Sequence, residues 1–438
     1  MRLGPATGCL VLLIAFPCAA RAQANSLDAE IDRRAKDVES QVVAWRRDFH
    51  EHPELSNREV RTGKIVADYL TSLGLEVRRG VAHNGVVAVL KGGRPGPVVA
   101  LRADMDALPV AEEVDLPFKS TVRTTFNGQD VGVMHACGHD SHTAMLMGVA
   151  TLLTGMRDRL PGTVKFIFQP SEEGAPIGEQ GGADLMIKEG ALENPHVDAI
   201  FGLHVMPFHT GEIEYRQGGL MASIDHFLIV VHGKGTHGAL PWGGVDPIVV
   251  ASQIVMGLQT ITSRQMDLTA SPTVVTVGRM TGGVRFNVIP DSVVLEGTVR
   301  TFDQAMRSDI QMRITRTAQS IAQSAGATAT TTLADAGSPV TYNDPALTAG
   351  LTPTLARVAG DQHIRIATPV TVSEDFALYE QKVPGMFFFL GVTPKDQDVA
   401  LAARNHSPRF FVDESALPLG VRAMAHLAVD YLGGGKAK

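Results

Sequence analysis

Val98-Val99-Ala100-Leu101-Arg102-Ala103-Asp104-Met105-Asp106 is an apolar run that turns acidic at its end, and its reading decides the fold. A short continuous apolar run of this kind is a strand buried on both faces. Two further runs share the design. Residues 164–168 lead into Gln169-Pro170-Ser171-Glu172-Glu173-Gly174, and residues 199–203 lead into His204. Residues 86–90 and 386–390 are also apolar enough for buried strands, and 143–153 for a buried helix. An opening helix follows from Val38, Val42, Trp45 and Phe49 at helical spacing. This alternation predicts an α/β fold with a mainly parallel sheet. In such sheets the carboxyl ends of the strands face one crevice. The three polar clusters are therefore expected to converge on one pocket.

A different order occupies the middle of the chain. Strand 227–231, helix 247–261, strands 273–278 and 293–300, helix 304–324 and strand 328–333 spell β-α-β-β-α-β. That order fits a ferredoxin-like α+β sandwich. Because α/β runs resume afterwards, the expected organisation is a catalytic domain in two parts, 25–219 and 338–438. Residues 220–337 form an inserted lid.

The chain has 438 residues, 44% of them hydrophobic, and a formal net charge of −7. That supports two cores and excludes disorder as the main state. Without runs of Lys and Arg, nucleic acid is a poor partner, and a small molecule is the expected one. Arg2, the apolar stretch 10–16 and Ala20-Arg21-Ala22 read as a signal peptide over residues 1–22. Export to the periplasm or the medium is expected, with no membrane anchor, because the apolar stretch is too short to span a bilayer. Pro17 before Cys18 is a poor context for lipid attachment. Cleavage removes Cys9 and Cys18 and leaves only Cys137, which cannot then be half of an internal disulfide.

Cys137 stands in Met134-His135-Ala136-Cys137-Gly138-His139-Asp140-Ser141-His142, just ahead of the apolar helix. Thiolate and imidazole in one short segment suit zinc or a neighbouring transition metal. The alternative is a helix start with polar caps. Glu172 and Glu173 would face opposite ways inside a strand, but at a strand end both can reach a pocket. One can then ligate a metal while the other moves a proton. Their alternative is a solvated acidic turn. Gly233-Lys234-Gly235-Thr236 is not a phosphate loop, because Gly235 stands where Ser or Thr must follow the Lys.

Together these motifs resemble the co-catalytic metallopeptidases of clan MH, in the amidohydrolase branch that holds hippurate, N-acyl-amino-acid and auxin-conjugate hydrolases. The matching pieces also include Phe49-His50-Glu51-His52-Pro53-Glu54, Glu59, Gly233–Ala239, Gly282–Pro290, Ser373-Glu374-Asp375-Phe376 and Asn405-His406-Ser407-Pro408, in family order. The resemblance implies two divalent metal ions, zinc or else manganese, cobalt or nickel, held by Cys137, His139, Glu173, His204 and His406. It implies Glu172 as general base in hydrolysis of an N-acyl amino acid or dipeptide by metal-activated water. It also implies His237 as an oxyanion donor supplied by the lid of a neighbouring subunit, Asn287 beside it, and a homodimer formed through the lid. Asp104 and Asp106 are expected to support the site from behind. Arg285 is either a carboxylate partner or an exposed strand residue, and Ser171 with residues 175–180 is expected to shape the pocket. Two rivals stay open: a thiol hydrolase using Cys137 with His139 or His142 as base, and a catalytically silent metal-binding protein.

Overall fold

The computed structural model describes residues 17–333 and 337–434, with side chains from Leu27 onward. The expected leader, 1–22, falls mostly outside the described residues.

Eight strands form the large sheet. Their order is Glu76–Val81, Gly85–Lys91, Pro161–Gln169, Arg94–Asp104, Ala199–His209, Gly385–Thr393, Ile213–Tyr215 and Ile364–Ile366. The four central strands, from Pro161–Gln169 to Gly385–Thr393, are mutually parallel. Antiparallel pairings occur towards the margins. Alternate side chains of each central strand go to opposite cores, as the pleat requires. Phe166, Phe168, Met386, Phe388 and Leu390 join one core, while Ile167, Phe387 and Phe389 join the other. The helices Pro17–Glu51, Val60–Ser72, His139–Thr154, Pro345–Ala359 and Leu417–Leu432 supply the first core. Shorter helices at Gly182–Lys188 and Ala377–Glu380 supply part of the second. Both faces are thus covered, which is why these strands read as continuous apolar runs.

The strands run past the apolar stretches read from sequence, and one extension carries a candidate ligand. The run expected to stop at residue 203 continues through His204 to His209, because Gly385–Thr393 pairs beside it as far as Thr393 and His209. His204 is therefore a strand residue, held by the ladder rather than by a loop.

The second sheet holds four antiparallel strands in the order Thr273–Gly282, Ser292–Thr301, Asp225–His232 and Thr328–Leu333. With helices Pro247–Thr260 and Gln304–Ser324 packed on one face, it forms the ferredoxin-like lid around its own core of Phe227, Ile229, Ile254, Leu295 and Ile314. A separate two-stranded antiparallel ribbon of the lid pairs Thr236–His237 with Val288–Ile289, which lie far apart in sequence. Among the described residues no helix is long and apolar enough to cross a membrane.

Candidate active site

The carboxyl ends of the central strands open into a cleft of about 770 Å³. Cys137, Glu172, Glu173, His204 and His406 line it, together with Glu374 and Asp375. The turn ahead of helix His139–Thr154 delivers the first of these. Gly138 has φ of 90°, and a Cβ there would lie 2.3 Å from Val205 Cγ2, so both conformation and space demand glycine. His406 also has a positive φ, 70°, and its N–H donates to the Ala136 carbonyl at 2.7 Å. That contact ties the loop of His406 to the loop of Cys137.

The hydrogen bonds fix how each imidazole faces the cleft. His204 Nδ1 lies 2.8 Å from the Val205 carbonyl oxygen, which can only accept, so Nε2 carries the free lone pair. That Nε2 lies 3.3 Å from Cys137 Sγ. His139 turns Nδ1 towards Asp106 at 3.3 Å, and its buried Nε2 has no partner. It sits 3.8 Å from Glu172 Oε2 and 4.0 Å from Glu173 Oε1. Glu173 Oε1 likewise lacks a hydrogen-bond partner, although His406 Nε2 stands 3.0 Å away. Buried polar atoms left without partners are costly, and several aimed at one another are what a missing cation explains.

Two ligand groups follow. Cys137, His139 and His204 bring their donor atoms within 4.8 Å of one another, and so do Cys137, Glu173 and His406. The groups overlap at the thiol, an arrangement suited to two adjacent ions. Asp104, His139 and His142 are equally close, yet His142 has no free donor atom. Its Nε2 accepts the Val205 N–H at 2.9 Å, and its Nδ1 meets Asp104 at 2.6 Å. His142 is therefore a strut, not a free base or ligand.

Asp104 and Asp106 lie buried behind the cleft. Asp104 grips His142 on one side and Arg102 Nη1, at 2.6 Å, on the other. Asp106 faces His139, while its second oxygen accepts from Ser56 Oγ at 2.7 Å and from the Glu173 backbone N–H at 3.0 Å. Such contacts hold ligating side chains at a fixed angle.

Electrostatics in the metal-free cleft are unfavourable to charge. Burial, reinforced by Glu374, Glu173 and Asp375, pushes the Glu172 carboxyl well above its ordinary value. Burial also raises the Cys137 thiol, with Glu173 and Glu172 adding to it. A protonated buried thiol is a poor nucleophile, but a bound cation reverses the balance and deprotonates it. Arg102, fully buried, faces three carboxylates: Asp104, Glu374 and Asp375, the last two at 3.0 Å. One guanidinium cannot neutralise all three, and burial holds Glu374 up at about 7 and Asp375 at about 6.

The lid residues sit elsewhere. His237 is exposed on the two-stranded ribbon, its Nδ1 accepting the Ala239 N–H at 3.1 Å. Asn287 is half-buried beside it and Arg285 is exposed. None of the three lines the cleft of the same chain. Arg285 as a carboxylate partner thus has no support from its own chain, and Arg300, half-buried on strand Ser292–Thr301, is the lid cation that reaches the cleft. Ser171 is buried, and residues 175–180 do not line the cleft either; Pro176 borders a separate groove with Pro53 and Phe126.

A family model described as Peptidase family M20/M25/M40 matches residues 100–430. The chain belongs to that family. Thermostable carboxypeptidase 2 of Saccharolobus solfataricus is 41% identical over 398 residues, 90% of this chain and 96% of its own. N-acetyl-L-cysteine deacetylase of Bacillus subtilis is 40% identical over 381 residues, 87% of this chain and 85% of its own. Among solved structures, a dinuclear metal binding peptidase from the M20 family, Bacillus subtilis YxeP protein, superposes with a TM-score of 0.75. It is 38% identical and covers 91% of this chain and 99% of its own.

Three features of this M20 chain escaped the sequence reading. Arg102 and Glu374 form the charged floor of the cleft, and a lone Arg inside an apolar strand was the available signal. Asn405 pins the loop of His406 through its Nδ2, which donates to the carbonyls of Cys137 at 3.2 Å and Val205 at 3.1 Å. Arg300 ends a lid strand, and nothing in its spacing points at a cleft formed by other elements.

Proposed function

We propose that this protein is an exported, metal-dependent amidohydrolase that cleaves the amide bond of N-acyl amino acids or short peptide-like conjugates. The observation that carries the reading is the free His139 Nε2 and Glu173 Oε1 beside Glu172 in a cleft lined by Cys137, His204 and His406. The relatives named above act, by name, as a carboxypeptidase and a deacetylase, and amide bonds to amino acids are common to both.

Cys137, His139, Glu173, His204 and His406 would hold two divalent transition ions. A mixed thiolate, imidazole and carboxylate set suits zinc, and manganese, cobalt or nickel can replace it. When bound, the ions supply Lewis acidity and make water acidic enough to react near neutral pH. Glu172 takes the proton from the attacking water and passes it to the leaving amine. Its side chain is only 9% exposed, which keeps competing water away from the proton it carries. Arg300 meets the substrate α-carboxylate from the lid side of the cleft.

His237 and Asn287 complete the site from the lid of a second copy, where His237 donates to the developing oxyanion. Support for a homodimer comes from the apolar side chains exposed near that ribbon: Trp242 at 80%, Val284 at 101% and Phe286 at 96%. Sedimentation giving a monomer at working concentration would remove this part of the reading. Export predicts a mature chain beginning at Gln23, read by mass spectrometry of the secreted protein.

The decisive test combines a chelator, metal replacement and a panel of N-acyl amino acids and dipeptides. Hydrolysis should vanish with chelator and return with added zinc or manganese. Activity that survives the chelator but is lost to iodoacetamide would favour Cys137 as a nucleophile instead.

A further inference from the structure

The loop that carries His406 also carries two arginines in opposite circumstances. Arg409 Nε is held by Glu113 Oε2 at 2.8 Å. Arg404 lines the cleft, and among the described residues its guanidinium makes no hydrogen bond and no ion pair. Four carboxylates line the same cleft, yet none is available to it. Glu374 and Asp375 face Arg102 at 3.0 Å each, Glu173 faces His406, and Glu172 lies beside His139.

The backbone presenting Arg404 is fixed on its C-terminal side. Asn405 is anchored to the carbonyls of Cys137 and Val205, His406 to that of Ala136, and the Arg404 carbonyl accepts the Ser407 N–H at 3.1 Å. Arg404 is exposed at the cleft, with its backbone anchored and its guanidinium free, so a planar anion bound there meets no competing carboxylate. Arg300, from the lid, is the other cation of the cleft that no carboxylate side chain holds, since Arg307 and Gln311 occupy Asp225. The two cations leave places at the cleft for two anionic groups on its occupant.

We infer that Arg404 is a specificity-determining residue that binds a second substrate carboxylate, beyond the α-carboxylate, and so selects dianionic N-acyl amino acids. This rests on the amidohydrolase reading above. The second carboxylate belongs either to an acidic amino-acid side chain or to a dicarboxylic acyl group. Both present the same planar anion to the guanidinium.

The test uses the metal-loaded enzyme and two matched pairs. N-acetylglutamate against N-acetylglutamine probes the side chain, and N-succinyl-leucine against N-acetyl-leucine probes the acyl group. The wild type should favour one dianionic member by about tenfold in kcat/KM, chiefly through KM. Arg404→Gln should erase that preference, lowering kcat/KM for the dianionic member to that of its monoanionic counterpart, and about 1 M salt should shrink it in the wild type. Arg409→Gln, which removes the same charge from the same loop outside the cleft, should preserve it. Lack of preference in both pairs, or a preference that survives Arg404→Gln, overturns the assignment. No turnover of any of the four substrates overturns the amidohydrolase reading itself, and Arg404 with it.

Discussion

The floor of the cleft and the ribbon of the lid both carry histidines, but they treat them in opposite ways. On the floor, His139, His142 and His204 are buried; His139 and His204 each have one ring nitrogen committed to a partner inside the chain, and His142 has both. Their orientation is settled before any ligand arrives. On the ribbon of the lid, His237 is exposed, and among the described residues its side chain hydrogen-bonds only locally, to Ala239 two residues on. Asn287 beside it keeps a buried Oδ1 without a partner. The floor is ordered by contacts within its own chain. The ribbon finds no comparable partner among the described residues of its own chain.

That contrast yields unequal sensitivities. Glu172→Gln keeps the shape of the floor but removes the proton carrier, so kcat should fall by about 10²–10⁴ while metal content, measured by elemental analysis, stays at the wild-type level. Near-normal kcat in that variant would sink the role of Glu172. His237→Ala should cost about 10²–10³ in kcat. Co-expressing the two variants sharpens the comparison. If the ribbon serves a partner, one site in each mixed dimer unites an intact Glu172 with an intact His237. About a quarter of wild-type activity then returns on random pairing. If His237 serves its own chain, no mixture recovers anything.

A smaller effect is expected behind the floor. Asp106→Asn keeps the contact with Ser56 possible but weakens the hold on His139 and on the Glu173 backbone. Metal affinity should fall by about 10–100-fold, read by competition with a chromogenic chelator, while the saturated enzyme retains most of its turnover. Unchanged affinity would make Asp106 a purely structural residue.

The same contrast explains what the sequence could and could not disclose. Buried strands on both faces leave uninterrupted apolar runs, so 164–168, 199–203 and 386–390 were readable as strands, and their polar ends as one crevice. The lid was readable because each of its elements has its own period, and helix Gln304–Ser324 and strand Thr328–Leu333 keep the bounds read from sequence. Position across elements was not readable. Arg300 reaches the cleft only because the lid strand ends there, and Arg102 finds Glu374 across 272 positions of chain. His142 looked as fit to ligate as His139, and only the Val205 N–H on its Nε2 removes it.

The buried carboxylates and histidines of the floor also set a dependence on pH. In the metal-free protein, burial and then Asp106 raise Glu59 to about 8, and burial raises Glu374 to about 7 against the opposing pull of Arg102. Burial opposes charge on His139, but Asp104, Asp106 and Glu173 carry it up to about 10. All three shifts are upward from 4.5, 4.5 and 6.5, so between about pH 6.5 and 8 the folded state binds more protons than the unfolded chain. Stability must then fall as pH rises through that window. Divalent cations favour the deprotonated floor, and their stabilisation should grow with pH over the same range. Calorimetry of metal-free protein at pH 6.5 and 8 should show the sheet domain melting earlier at the higher pH, with the gap closed by added zinc. A metal-free melting temperature that rises with pH would mean that the floor is already solvated and ionised without its ions.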